Sequence, residues 1–234
     1  MSKIGIIGAM EEEVTILRNQ MQNKELKQIA GMDFYQGTLE GKEVILVRCG
    51  IGKVNAAICT QALIDHFHAQ YIINTGVAGA IYEKLDIGDI VIYSDCVQHD
   101  FDTSVFGDPL GTIPRMDESF FKGDSKLIEL ASQCAKNLPS KPNVNVYVGR
   151  VASGDQFISS LKQKQTIWDN FNAYCAEMEG AAIAHACYLN KIPFVIIRSI
   201  SDKADHSADV NFQEFVKEAA KNSNEMILEI LKSI

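Results

Sequence analysis

Pro193-Phe194-Val195-Ile196-Ile197-Arg198-Ser199-Ile200 is the stretch that decides the fold. A strand with one wet face alternates apolar and polar residues. A nearly unbroken apolar run is expected of a strand covered on both faces. Arg198 interrupts the run, and an arginine in such a strand needs a partner. Outward from this strand, Ile4–Ala9, Tyr71–Thr75 and Asp89–Cys96 read the same way. Between them lie stretches of helical character at Glu11 to about Gln22, Lys53–Phe67, Asp124–Leu138, Ser159–Asn170, Glu179–Asn190 and Asn211 to about Leu231. Asn211 followed by Glu214 reads as the last helix's N-terminal cap. Phe34–Leu39 and Glu43–Cys49 form a hairpin around Glu40-Gly41, and Asn143–Ala152 is extended. Alternating strands and helices imply an α/β fold with helices on both faces of the sheet. The hairpin makes the central sheet mixed. Residues 1–234 are read as a single domain.

The bulk numbers narrow the function. The 234 residues carry 47% hydrophobic and 22% charged side chains, with a net charge of −8. An acidic chain of this kind is a poor ligand for nucleic acid or anionic membranes, which need a basic surface. The N-terminal apolar run is too short to span a bilayer and leads into Glu11-Glu12-Glu13, unlike a signal peptide. A cytoplasmic protein is expected. The six cysteines are scattered without C-x-x-C spacing, so reduced buried thiols are expected rather than a disulfide framework or zinc site.

In α/β folds, ligands gather beyond the carboxyl ends of strands. Four polar segments stand there. They are Gly8 to Glu13, Asn74 to Gly79, Ser153 to Ile158, and the pair formed by Glu177-Met178-Glu179 with Arg198 to Asp202. Glutamates opening a helix can serve only its dipole, and Asp202 can serve only a turn. Other motifs fail. Gly5-Ile6-Ile7-Gly8 lacks the full dinucleotide fingerprint, and Gly50-Ile51-Gly52-Lys53 lacks the upstream glycine and the Ser or Thr of a P-loop. His99, Asp100 and Asp102 read as an ordinary polar loop, so no metal and no cofactor is expected.

Taken in order, IGIIGAMEEEV (4–14), GIGKVNAA (50–57), INTGVAGA (73–80), GDIV (88–91), SGDQFI (153–158), EMEGAAIAHAC (177–187) and PFVIIRSISDKAD (193–205) closely resemble the bacterial 5′-methylthioadenosine/S-adenosylhomocysteine nucleosidases. These belong to the wider nucleoside phosphorylase superfamily. The resemblance implies a nucleoside phosphorylase-like fold, a homodimer, and hydrolytic release of adenine from methylthioadenosine, S-adenosylhomocysteine and 5′-deoxyadenosine. By similarity, Asp202 protonates adenine N7, with Ser201 orienting it. Glu13 activates the attacking water and Arg198 helps position that water. Glu177, Met178 and Glu179 lie at the sugar, with Glu179 holding its hydroxyls. Phe157 stacks on adenine and Ile158 lines the base pocket. Met10, Ile51 and Phe212 shape the 5′-substituent pocket, and Val77 and Ala78 are further substrate-binding positions. Phe106 and Pro114 match the segment that reaches into the partner's site. Val77 departs from relatives that have Ser or Thr there, which removes one side-chain hydrogen bond.

A phosphorolytic relative is the nearest rival. It needs cationic donors around phosphate. Here Asn74 stands where those enzymes have arginine, and Glu11-Glu12-Glu13 replaces their phosphate loop. A nucleosidase for futalosine or adenosine monophosphate and a noncatalytic nucleoside-binding module are the remaining rivals.

Overall fold

The computed structural model describes residues 2–138 and 144–234. Asn143, where the sequence reading starts an extended segment, lies outside them. The strands are β1 (Ile4–Gly8), β2 (Gln22–Ile29), β3 (Met32–Leu39), β4 (Lys42–Arg48), β5 (Tyr71–Ala80), β6 (Ile90–Gln98), β7 (Phe120–Lys122), β8 (Val146–Ser153), β9 (Cys175–Glu177) and β10 (Phe194–Asp202). The helices are α1 (Glu11–Gln20), α2 (Lys53–Phe67), α3 (Ser125–Cys134), α4 (Leu161–Phe171), α5 (Gly180–Asn190) and α6 (Ala208–Ser233). This is the expected α/β architecture on a mixed sheet. Every residue of β10 is buried, as its composition required.

The strands form a 10-stranded sheet with the order β10-β6-β8-β9-β5-β1-β4-β3-β2, and β7 pairs with β6. β1 runs parallel to β4 and β5, and β5 parallel to β10. Because β5 pairs with β10 as well as with β9, the strands β5-β10-β6-β8-β9 close into a ring. The other half of the sheet stays open and ends in the β3–β4 hairpin and β2. Glu40 (φ 50°) and Gly41 (φ 73°) make the hairpin turn. Two positive φ values in a two-residue loop match the twist of the flanking strands.

Several boundaries differ from the sequence reading, which also misses the short strands β7 and β9 and carries α3 past Cys134. Gln22 belongs to β2 rather than to α1. All but the last residue of β2 are exposed, so β2 forms by hydrogen bonding along β3, not by burying side chains, and its polar sequence gives no strand signal. β5 continues past Thr75 to Ala80, because its second half pairs with both β10 and β9. α6 starts at Ala208, not after a cap at Asn211. Asp205 accepts the Ser207 N–H at 2.9 Å, and the Asn211 amide donates to Ser207 Oγ from within the first turn. By contrast, Asp124 caps α3 by accepting from the N–H groups of Lys126 and Leu127 at 3.0 Å each.

Among the described residues, all six cysteines are free and buried. No helix among them is long and apolar enough to cross a membrane.

Candidate active site

The carboxyl ends of β1, β4, β5, β8, β9 and β10 surround a cavity of about 460 Å³. Four of its walls are the segments singled out from sequence. Met10, Glu13, Val77 and Ala78 line one part, and Glu177, Met178 and Glu179 another. Phe157, Ile158, Ser201 and Asp202 also face it, with Ile51 and Phe212. Arg198 lies behind this wall. Phe106 and Pro114 are exposed outside it. Gln156, Asp209 and Gln213 also line the cavity. Asp209 reaches it because α6 begins earlier than its sequence suggested, and Gln213 from within the helix as read.

Glu13 is the third residue of α1 and its carboxylate bends back to the chain that precedes the helix. Oε2 accepts from the N–H groups of Ala9 at 2.6 Å and Met10 at 2.9 Å. Oε1 accepts from the Val77 N–H at 3.0 Å. Position 77 therefore holds the acid through its backbone, which a valine does as well as a serine. Burial pushes the Glu13 carboxyl up, opposed by the Arg198 charge and the three backbone donors.

Arg198 does not line the cavity; its guanidinium joins a buried network behind it. Nη2 donates to Glu177 Oε2 at 2.5 Å and to Asn74 Oδ1 at 2.5 Å. Asn74 also donates to the Ile7 carbonyl at 2.9 Å, tying β5 to β1. Glu177 accepts in addition from Ser153 Oγ and from the N–H groups of Glu179 and Gly180, at 3.1 and 2.7 Å for the latter two. Burial works to raise the Glu177 carboxyl, but Arg198 and these donors outweigh it and hold the group below its ordinary range. Burial likewise works against the Arg198 charge, and the carboxylates of Glu177, Glu13 and Glu179 keep it protonated. The partner that a strand arginine needed is thus Glu177, with Asn74.

Glu179 stands at the cavity wall and accepts the Gly52 N–H at 2.8 Å. Gly52 has φ 100°, a conformation that favours glycine. The Gly50-Ile51-Gly52 turn thus presents a backbone donor, and α2 begins directly after it. Burial, then the neighbouring Glu177 charge, push the Glu179 carboxyl up to about 8.

Asp202 ends β10 where the pairing with β5 is irregular. Oδ2 accepts from Ser201 Oγ at 2.9 Å and Oδ1 from the Ala204 N–H at 2.8 Å. Burial pushes its carboxyl up against these two donors. Glu13 and Asp202 meet β5 at Val77 and at Gly79 respectively, two residues apart, roughly 7 Å along a strand. Phe157 and Phe212 form an edge-to-face pair with ring centroids 5.8 Å apart.

Two features bear on the chemistry. The cavity lining includes Glu13, Glu177, Glu179, Asp202 and Asp209 but, among the described residues, no Lys, Arg or His. No group of three His, Cys, Asp or Glu among the described residues could hold a metal ion. Asp100 instead pairs with Lys53 at 2.6 Å and accepts the Asp155 N–H at 2.9 Å.

The sequence model of the phosphorylase superfamily matches residues 3–232. A 5′-methylthioadenosine/S-adenosylhomocysteine nucleosidase of Staphylococcus carnosus (strain TM300) is 45% identical over 232 residues, 99% of this chain and 100% of its own length. The crystal structure of the corresponding nucleosidase from Neisseria meningitidis, in complex with methylthio-immucillin-A, matches with a TM-score of 0.95 at 40% identity and covers 100% of both chains. Futalosine hydrolase of Helicobacter pylori strain 26695 matches with a TM-score of 0.94 at 35% identity, over 100% of this chain and 98% of its own. The chain belongs to the phosphorylase superfamily and, within it, to the 5′-methylthioadenosine/S-adenosylhomocysteine nucleosidase family.

Proposed function

We propose that this protein hydrolyses the N-glycosidic bond of 5′-methylthioadenosine and S-adenosylhomocysteine, releasing adenine and the 5-substituted ribose. The observation that carries the choice of water over phosphate is the charge of the cavity. Its described lining has five carboxylate side chains and no cation, and Arg198 is committed to Glu177 and Asn74 behind the wall. Phosphate in such a cavity would meet acidic side chains with no cationic side chain to offset its charge. Water meets no such penalty.

The roles follow from the chemistry. Adenine leaves poorly as an anion, and protonation at N7 neutralises it as the bond breaks. Asp202 is our acid, because burial favours its protonated form. Glu13 is our base. It needs to be ionised, and Arg198 with three backbone donors opposes the effect of burial on it. In this reading Glu179 holds the sugar hydroxyls, and the ionised Glu13 carboxylate favours the oxocarbenium-like sugar. Arg198 acts through Glu13 and Glu177 rather than touching the water. Phe157 and Ile158 take adenine, and Met10, Ile51 and Phe212 take the 5′ substituent. No cofactor enters any step. These assignments use the whole chain, residues 1–234, as one domain in the cytoplasm, where its unpaired cysteines stay reduced.

We read the assembly as a homodimer in which Phe106 and Pro114 complete the partner's site. Phe106 and Val105 are 84% and 85% exposed, and Val54 on α2 is 70% exposed. Such apolar surface calls for cover.

Incubation with methylthioadenosine, with and without phosphate, tests the reaction. Release of methylthioribose without phosphate supports it, and strict phosphate dependence overturns it. Futalosine and S-adenosylhomocysteine in the same panel fix the substrate. Light scattering during size exclusion tests the dimer, for which a monomeric mass is the contrary result.

A further inference from the structure

We infer that Lys164, on α4, is a positioning residue for the acid Asp202, holding the loop that follows it against the base-binding segment. The inference rests on the reading of Asp202 as the general acid. Asp202 is followed by Lys203-Ala204-Asp205, a loop with no regular structure of its own. Lys164 Nζ donates to the Lys203 carbonyl at 2.6 Å. The Lys203 amine turns the other way, to the Leu85 carbonyl at 2.5 Å and Asp86 Oδ1 at 2.6 Å. Residue 203 is thus clamped from both sides.

The clamp matters because of what residue 204 does. Ala204 has φ 51°, a left-handed conformation that costs an alanine roughly 1 kcal/mol. In that conformation its N–H donates to Asp202 Oδ1. A loop free to relax would leave the left-handed region and drop this bond. Holding the Lys203 carbonyl opposes that relaxation. Lys164 also lies one turn into α4, and α4 follows directly on Phe157 and Ile158. One ammonium therefore joins the segment assigned to adenine to the loop that carries its proton donor.

The charge has its own effect. The charged groups around Asp202 are Asp205 in its own loop, Lys164 from α4, and Glu13, Glu177, Glu179 and Asp209 on the cavity lining. His206 sits beside Asp205. Lys203 is turned away to Asp86. Among these, Lys164 favours the carboxylate, against burial and Asp205, which favour the acid. Burial pulls the Lys164 ammonium down and Asp205 supports it.

Lys164→Met and Lys164→Arg test the inference through pH profiles of kcat/KM on methylthioadenosine. In Lys164→Met, one limb of the profile moves up by about half a pH unit, because a half-buried cation has been removed from beside the acid. The same variant loses about tenfold in kcat through looser placement of the acid. Lys164→Arg keeps the limb and restores most of the rate. A merely structural lysine would lower the rate or Tm and leave both limbs in place, which would overturn the inference. Asp202→Asn, assayed alongside, separates the two levels. If Asp202→Asn turns over normally, the acid assignment itself fails. If it is inactive while the Lys164→Met limbs stay fixed, only the role of Lys164 fails.

Discussion

Gly76 stands where any side chain would collide with the Glu13 carboxylate. A Cβ there would lie 2.7 Å from Glu13 Oε1 and 3.3 Å from Arg198 Nη1. The absence of a side chain on β5 is therefore what lets an α1 carboxylate and a β10 guanidinium approach each other across the strand. Gly79 plays the same part for Asp202, where a Cβ would lie 2.7 Å from Oδ1.

Gly76→Ala is accordingly expected to fold but to displace Glu13, since the methyl can be accommodated only by moving the Glu13 carboxylate. We expect kcat to fall about a hundredfold, the scale for a misplacement near 1 Å. Steady-state kinetics beside a thermal melt check this. An unchanged kcat would show that Glu13 has room to spare.

Asp202→Asn is expected to lower kcat by about 10³-fold or more with little change in Tm, because an amide has no proton to give at comparable acidity. Glu13→Gln is expected to lower kcat by about 10²-fold or more. If Glu13→Gln changes KM alone, Glu13 binds substrate and does not activate water.

Arg198→Met is expected to destabilise the fold by about 3–5 kcal/mol, since it strands the buried Glu177 carboxylate. Pairing it with Glu177→Gln recovers part of the loss, because no uncompensated charge then remains. Denaturant titration of the single and double variants measures the recovery. Additive losses would mean that the pair contributes packing rather than charge balance.

Glu179 makes stability depend on pH. Its folded pKa of about 8 lies above the ordinary value of 4.5, so the folded chain holds a proton that the unfolded chain has released. Its contribution is fully present below the unfolded pKa and is lost as pH rises from 4.5 to about 8. Glu179→Gln is expected to raise Tm in alkaline buffer, by about 3 °C for each kcal/mol relieved, and to change it little in acid. Melts of both proteins across that range check the sign. A difference that grows toward low pH would reverse it.

Most of the fold was legible where side-chain burial dictates structure. β10, β1 and the Glu40-Gly41 hairpin announce themselves by apolar runs or turn chemistry. β2 was hidden because an edge strand of polar residues is held by backbone bonds that leave no mark on composition. The second half of β5 was hidden for a related reason: Asn74 to Gly79 reads as a polar, glycine-rich loop, and only its pairing with β10 and β9 makes it strand. Of the site, each acid was visible in its segment. The commitment of Arg198 to Glu177 was not, because the two are 21 positions apart in sequence and nothing local links them. The place of Asp209 on the lining depended on a helix start near Asp205, which a cap search centred on Asn211 passes over.

The closed ring of β5, β10, β6, β8 and β9 has a consequence for how this protein can change over evolutionary time. Gly76, Gly79, Ser153, Glu177, Arg198 and Asp202 all sit on strands of that ring, where every strand has at least two neighbours and none can shift alone. Met10, Ile51, Phe157 and Phe212 sit on the turns and helix beyond it. In the proposed assignment the acid Asp202 and the buried Arg198–Glu177 pair therefore lie on the ring, whereas the base Glu13, on α1, and the residues assigned to the 5′ substituent lie beyond it. Under that assignment, a lineage can trade one 5′ substituent for another by changing Met10, Ile51 or Phe212, while the ring that carries the acid is inherited intact.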